Sequence, residues 1–252
     1  MSTIKGSAPV YDIELYYELR GDGEPLVLLH GGGGAGANWS LVFADPLPCY
    51  RLIIPDLRGH GRSLNPSGQF SFRQCALDVL ALLDQLEIDR FKAIGLSLGA
   101  KTLLHIATQQ PSRVDGMVLV SGAPYFPEQA RALMRAVDSE NHTEAEWRQM
   151  REWHQTDEQI RALWRMARAF ADSYDDLNFT PPYLSTITAR TLIVHGDRDA
   201  LYPVRLAVEM YEAIGGAQLW VVPNGGHGPI FGALAEQFVS TAVAFLAGDK
   251  QG

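Results

Sequence analysis

Ser97 lies between two glycines, in the segment Gly95-Leu-Ser-Leu-Gly99, and a serine in this setting can serve as a nucleophile. The spacing suits a sharp turn from a strand into a helix, where the residues two before and two after the serine pass so closely that side chains would clash. Such a turn holds the hydroxyl at the end of the strand, beside the N-terminus of the helix. Because 24 of the 252 residues are glycine, the pattern can also arise by chance, and other residues must support it.

A neutral serine hydroxyl needs a base that accepts its proton and an acid that orients that base. His227 is the favoured base, because it lies in a glycine-rich loop after the last predicted strand. Asp197 and Asp199 both follow the preceding strand, and Asp199 is favoured because Asp197 lies nearer the strand and can stabilise the turn. The order serine, aspartate, histidine is that of hydrolases built on such a turn. The other histidines lie at strand ends, in a loop, in a helix or in the insertion described below: His30, His60, His105, His142, His154 and His195.

A run of small residues, Gly31–Gly36, follows an apolar segment and can supply an oxyanion hole. That role needs a backbone N–H with no side chain in the way, and we predict Gly32 as the donor, with Gly33 as the alternative. The run also matches the dinucleotide-binding spacing G-x-G-x-x-G. It lacks the lysine and Ser/Thr of a P-loop, and only Asp56 is available as the acidic residue that a dinucleotide site needs, so the oxyanion role is favoured.

Several apolar segments predict the strands that must position these residues. In the first, apolar and polar residues alternate, as in a half-buried strand. Most of the others are continuous apolar runs, which are typical of a parallel sheet buried on both faces. Helical segments separate the later ones, which predicts an α/β protein with a mostly parallel sheet. The predicted strands are 10–19, 26–30, 51–56, 91–96, 117–121, 191–195 and 219–222. The polar loop that follows the third strand is predicted to be structural, through Asp56, Arg58 and His60.

Residues 125–186 show no strand pattern and are predicted to form a helical cap inserted into a core made of residues 1–124 and 187–252. Thr143 and Thr156 each begin a helix by the spacing of a capping box. The cap is rich in aromatic residues and is predicted to cover the turn at Ser97. Gly33, Phe126 and Trp164 are the predicted pocket residues, although core packing explains any single aromatic residue as well.

The composition limits the partners and the compartment that we expect. A net charge of −8 with no basic block argues against nucleic acid and anionic membranes as partners. Cys49 and Cys75 are expected to be free thiols, and no cluster has the spacing of a metal site. Without an apolar signal segment or a run long enough to span a bilayer, the expected location is the cytoplasm. Whether the chain is a monomer or a homodimer stays open.

Together these segments resemble the α/β-hydrolase family. The resemblance rests on His30-Gly31-Gly32 through Trp39, Asp56 through Ser63, Gly95 through Gly99, His195 through Asp199 with Pro203, and Gly226-His227. It implies a mainly parallel eight-stranded sheet with helices on both faces and a helical cap after the sixth strand. It also implies a catalytic triad of Ser97, Asp199 and His227, with an oxyanion hole made by the N–H groups of Gly32 and Leu98.

The resemblance implies a serine hydrolase that cleaves small carboxylic esters through an acyl-enzyme and needs no cofactor. Dehalogenase and epoxide-hydrolase relatives use aspartate as the nucleophile, so Ser97 argues against those activities. The glycine run also resembles the loop of meta-cleavage C–C hydrolases, but those usually carry tryptophan after the catalytic histidine, where this chain has Gly228. Lactonases, aminopeptidases, perhydrolases and acyltransferases share the same core. A small-molecule receptor on the same fold is the alternative of a different class.

Overall fold

The computed structural model describes residues 3–44, 47–138 and 140–248. Eight strands form one sheet: β1 (Thr3–Val10), β2 (Ile13–Arg20), β3 (Glu24–Leu29), β4 (Tyr50–Pro55), β5 (Phe91–Leu96), β6 (Val114–Val120), β7 (Arg190–Gly196) and β8 (Gln218–Val222). Their order across the sheet is β1-β2-β4-β3-β5-β6-β7-β8. The β1–β2 and β2–β4 pairs are antiparallel, and all the other pairs are parallel. The predicted α/β class is confirmed.

Helices cover both faces of the sheet, because the central strands are apolar on both sides. On β3, Val27 and Leu29 pack in one hydrophobic cluster with the helices over residues 72–85 and 98–109. Leu26 and Leu28 point to the other face and pack in a cluster with the last helix, residues 235–247. The helices are α1 (Phe72–Gln85), α2 (Leu98–Gln109), α3 (Glu128–Arg135), α4 (Glu144–Arg151), α5 (Asp157–Ala169), α6 (Pro181–Leu184), α7 (Val204–Ala213) and α8 (Ala235–Ala247). No helix in the three described ranges is long and apolar enough to cross a membrane.

The start of the chain differs from the single strand predicted over residues 10–19. The structure has a hairpin instead, in which β1 pairs with β2 and Val10 lies opposite Ile13. The sequence carries no glycine or asparagine at this turn, and Tyr11 adopts the left-handed conformation, with φ of 51°, without such a signal. Most of β1 is exposed, so its side chains lack the alternation that identifies a half-buried strand.

Helices α3 to α6 lie between β6 and β7, where the helical cap was predicted. The predicted starts of α4 and α5 are confirmed: the hydroxyls of Thr143 and Thr156 accept hydrogen bonds from the N–H groups of Glu146 and Gln159. An isolated bridge between Tyr125 and Asn178 closes the base of this segment. We call residues 125–186 the helical insertion.

A buried ion pair fixes the loop that follows β4. The guanidinium of Arg58 donates to both carboxylate oxygens of Asp78 on α1, at 2.8 and 2.9 Å, and both side chains are almost fully buried. Asp56 accepts hydrogen bonds from the N–H groups of Gly36 and Arg62, at 2.7 and 2.8 Å. The structural role predicted for this loop is therefore confirmed, and the loop is tied to the glycine run on one side and to α1 on the other.

Replacing Asp78 by alanine removes the buried carboxylate and leaves the Arg58 charge paired with the exposed Asp12, at 2.8 Å. We expect the free energy of unfolding to fall by about 3–5 kcal/mol, measured by urea denaturation. Asp84 is the matched control, because its side chain, which pairs with Arg113, is 65% exposed, and its loss is expected to cost less than about 1 kcal/mol. Equal losses in the two variants would contradict this account of the loop.

Candidate active site

The turn at Ser97 joins the end of β5 directly to the start of α2. Ser97 has φ of 50° and ψ of −100°, a strained conformation for a residue with a side chain. A Cβ atom on Gly95 would lie 2.6 Å from the carbonyl carbon of Gly99, and one on Gly99 would collide with the carbonyl oxygen of Leu29. The two glycines are thus needed for close backbone contact, as the spacing predicts.

Backbone hydrogen bonds from neighbouring strands hold the turn in place. The Ser97 N–H donates to the carbonyl of Val120 at the end of β6, at 2.8 Å. The Gly99 N–H donates to the carbonyl of His30, at 3.1 Å, just beyond β3. The strain at Ser97 is therefore supported from both sides by the sheet.

The structure brings Ser97, His227 and Asp199 together in one hydrogen-bonded chain. Nε2 of His227 lies 2.8 Å from Oγ of Ser97, and Nδ1 lies 2.8 Å from Oδ2 of Asp199. When Nδ1 carries the proton and donates a hydrogen bond to the carboxylate, Nε2 has a free lone pair that can accept the proton of the serine hydroxyl.

Asp199 is held as an anion by several donors. Its Oδ1 accepts the N–H groups of Leu201 and Tyr202, at 2.8 and 3.0 Å, while His227 donates to Oδ2. Burial favours the neutral acid, but these hydrogen bonds outweigh it and keep the pKa of Asp199 below its ordinary value. Asp197, the alternative acid, is exposed, and its N–H donates to Val222 at 3.2 Å.

The two predicted oxyanion donors lie next to each other beside the turn. A Cβ atom on Gly32 would lie 3.6 Å from Cδ1 of Leu98, in ordinary contact. Within the described residues, the Gly32 N–H donates to no protein acceptor. Leu98 is the first residue of α2, where N–H groups lack a partner within the helix. Both N–H groups are thus available to a substrate oxygen.

A pocket of about 520 Å³ opens above Ser97 and His227, between the turn and the helical insertion. Its walls are mainly apolar, and Gly33 and Trp164 line it as predicted. Phe126 does not. Its ring is buried against those of Phe72 and Phe170, with centroid distances of 6.0 and 5.4 Å, because it packs in an aromatic cluster behind the pocket wall.

A family model described as the alpha/beta hydrolase fold matches residues 24–177, more than half of the chain. The chain belongs to the α/β-hydrolase family. This hydrolase is 29% identical over 248 residues to a protein named putative non-heme chloroperoxidase from Synechocystis, an alignment that covers 85% of this chain and 88% of the other.

Two further relatives carry names that describe hydrolytic reactions. The 2-hydroxymuconate semialdehyde hydrolase of a Pseudomonas strain is 28% identical, with 82% of this chain and 81% of the relative covered. The pimeloyl-[acyl-carrier protein] methyl ester esterase of Nitrosomonas europaea is also 28% identical, with 90% and 97% covered. Among solved structures, an enol-lactonase from Burkholderia xenovorans superimposes with a TM-score of 0.76 at 25% identity, covering 96% of this chain and all of the other.

His154 in the helical insertion forms hydrogen bonds to two loops of the site. Nδ1 of His154 accepts the N–H of Gly61 at 3.0 Å, and its Nε2 donates to the carbonyl of Gly33 at 3.1 Å. Gln159 adds two bonds from its amide to the carbonyls of Gly59 and Gly61, each 3.0 Å long. The glycine run, the loop after β4 and the insertion therefore share one hydrogen-bond network.

Sequence reasoning missed two polar residues of this site, His154 and Lys101. The sequence offers only a weak signal for His154, because its partners are backbone groups about 90 and 120 positions away. Lys101 had a clearer signal: it is a charged residue one turn after Ser97 in an otherwise apolar helix segment. Its side chain lines the pocket.

Three buried histidines near this network make stability depend on pH. Burial is the main cause that lowers the pKa of His30, His60 and His154 below the ordinary value near 6.5. Such groups stay neutral in the folded chain but take up protons when it unfolds. The stability that they contribute is therefore present above pH 6.5 and is lost as the pH falls towards their folded pKa values.

Replacing His154 by glutamine keeps one donor and one acceptor but removes one titrating group. We expect the free energy of unfolding of the wild type to fall more steeply between pH 6.5 and 5 than that of His154→Gln, by up to about 1.4 kcal/mol per pH unit. Urea denaturation across this range measures both slopes. Parallel slopes would mean that His154 is not held neutral by the fold.

Proposed function

We propose that this hydrolase cleaves small carboxylic esters through an acyl-enzyme on Ser97. The observation that carries the proposal is the hydrogen-bonded chain Ser97–His227–Asp199, with 2.8 Å at each of its two links. Serine attack on an ester carbonyl requires a base at this distance and an anion behind the base. The three residues meet both needs.

In the proposed mechanism, His227 accepts the proton of Ser97 as Oγ attacks the ester carbonyl carbon. The carbonyl oxygen becomes negative and is stabilised by the N–H groups of Gly32 and Leu98. His227 then gives the proton to the departing alcohol, and Asp199 stabilises the imidazolium throughout. Water, deprotonated by His227, hydrolyses the acyl-enzyme and restores the free hydroxyl.

The pocket supports a small and largely apolar acyl group. Methionine, leucine and aromatic side chains of the insertion contribute about a third of its lining residues, and about 520 Å³ suits a ligand of modest size. The similarity to the methyl ester esterase of Nitrosomonas europaea, at 28% identity, also supports ester hydrolysis.

A second candidate is C–C bond or lactone hydrolysis at the same serine. The similarity to the 2-hydroxymuconate semialdehyde hydrolase and to the enol-lactonase supports it, as does the glycine run that begins at Gly31. Gly228 counts against the C–C reaction, because the meta-cleavage enzymes usually have tryptophan after the histidine. Attack of Ser97 on a carbonyl carbon places a negative oxygen at the same N–H groups in each reaction, so assays on the three substrate classes are needed to distinguish them.

Replacing Ser97 by alanine should lower turnover of p-nitrophenyl esters by on the order of a million-fold, because the three side chains act as a unit. The measurement is release of p-nitrophenol from the acetate to octanoate series, with wild type and variant in parallel. A loss below tenfold in folded protein would refute the acyl-enzyme on Ser97. Wild type that binds the esters tightly but turns over once or not at all would favour a receptor or another acyl chemistry.

Replacing Asp199 by asparagine should lower kcat by roughly ten-thousand-fold, because the amide favours the wrong tautomer of His227. Asp197→Asn is the matched control two residues away, and its effect should be small because that side chain is exposed. The kcat values of both variants on the best p-nitrophenyl ester test this. The reverse ranking would exchange the roles of the two aspartates.

A further inference from the structure

Lys101 places a positive group in the wall of the pocket next to the reacting serine. It lies four residues after Ser97, in the first turn of α2, and its N–H donates to the Ser97 carbonyl at 3.1 Å. Both residues line the same pocket. Only 3% of the residue is exposed.

Aromatic rings rather than an acid surround the Lys101 ammonium. Nζ donates to the hydroxyl of Tyr202 at 2.6 Å and lies over the rings of Phe72, Phe126 and Tyr202, at 5.2, 5.0 and 4.8 Å from their centroids. Among the described residues no carboxylate forms an ion pair with it. Lys92, which is also buried, differs, because its Nζ lies 2.5 Å from Oε2 of Glu24.

A buried ammonium without a counterion is energetically unfavourable, and its contacts with the rings offset only part of that cost. Burial accordingly lowers the pKa of Lys101 to about 7, although the charge of Asp199 acts in the opposite direction. The titratable groups that face it are Tyr202, through the hydrogen bond, and Asp199, through space. An anion that entered the pocket would supply the missing charge.

An ammonium has three hydrogen-bond donors, and Tyr202 accepts from only one. A carboxylate matches the remaining donors and the charge, and a charge-assisted hydrogen bond is about twice as strong as a neutral one. The rest of the wall offers an acyl chain apolar contacts, from residues such as Met134, Met166 and Leu201.

We propose that Lys101 binds a carboxylate on the acyl part of the substrate, so that the site selects acidic esters over neutral ones of the same length. The proposal rests on ester hydrolysis at Ser97 and names the substrate class of that site. Lys101 is then the residue that determines specificity, whereas Ser97 and His227 carry out the reaction.

The test compares two methyl esters with six-carbon acyl chains, monomethyl adipate, which ends in a carboxylate, and methyl hexanoate, which ends in a methyl group. The two esters differ only in the group at the far end of the acyl chain. We expect wild type to prefer the acidic ester in kcat/KM by about 10- to 100-fold, the range of one charge-assisted hydrogen bond. A wild type that shows no preference, or prefers methyl hexanoate, overturns the proposal without any variant.

Lys101→Met keeps the length of the side chain and removes the charge, and it should abolish the preference. Lys101→Gln serves as a second neutral variant if the methionine variant does not fold. Lys92→Met is the matched control, since it removes a buried lysine that has its own acid partner away from the pocket, and it should keep the wild-type ratio. A preference that survives in the Lys101 variants means that another group binds the carboxylate.

Binding to Ser97→Ala separates this proposal from the proposed function. In that background, thermal shift titrations should show about tenfold tighter binding of monomethyl adipate than of methyl hexanoate, and Ser97→Ala/Lys101→Met should bind both alike. If wild type hydrolyses neither ester but this difference is present, ester hydrolysis is wrong and the carboxylate site stands. If both esters are hydrolysed equally and bind equally, the reverse holds.

Discussion

The close contact of backbone at Gly95 and Gly99 is the constraint on which the rest of the site depends. Because these positions cannot hold a Cβ atom, β5 passes into α2 with only Ser97 between them. The serine remains strained because the carbonyls of Val120 and His30 fix the peptides on both sides of it. The absence of side chains at Gly95 and Gly99 thus sets the position of Ser97, the start of α2 and the short distance between α2 and the backbone at His30, where the glycine run begins.

The parallel sheet brings residues that are far apart in the chain to the same place beside Ser97. Gly95 lies opposite Leu119, Leu119 opposite Ile193, and the ladder continues from β7 to β8. Because all these strands end at one edge of the sheet, the loops that follow β7 and β8 meet the turn after β5. Ser97 and His227 are 130 positions apart, and their side chains are nevertheless 2.8 Å apart. The insertion between β6 and β7 lies at the same edge and forms the roof of the pocket.

The sequence predicted the α/β fold because each local pattern that was used had a single physical cause. Glycine spacing marks the turn at Ser97, and continuous apolar runs mark the buried strands. The hairpin at Tyr11 was missed because its turn uses a residue type that gives no signal. Phe126 was assigned to the pocket because sequence cannot tell which side of a wall an aromatic ring occupies. His154 depends on contacts with segments about 90 and 120 positions away, which no local pattern encodes.

His154 joins the roof of the pocket to the glycine run, through the carbonyl of Gly33, one residue from the proposed oxyanion donor Gly32. Asp56 holds the other end of the same run, through the N–H of Gly36. The run is therefore anchored to the helical insertion at one point and to the loop after β4 at another. The insertion thus helps to position the backbone beside Ser97 as well as covering the pocket.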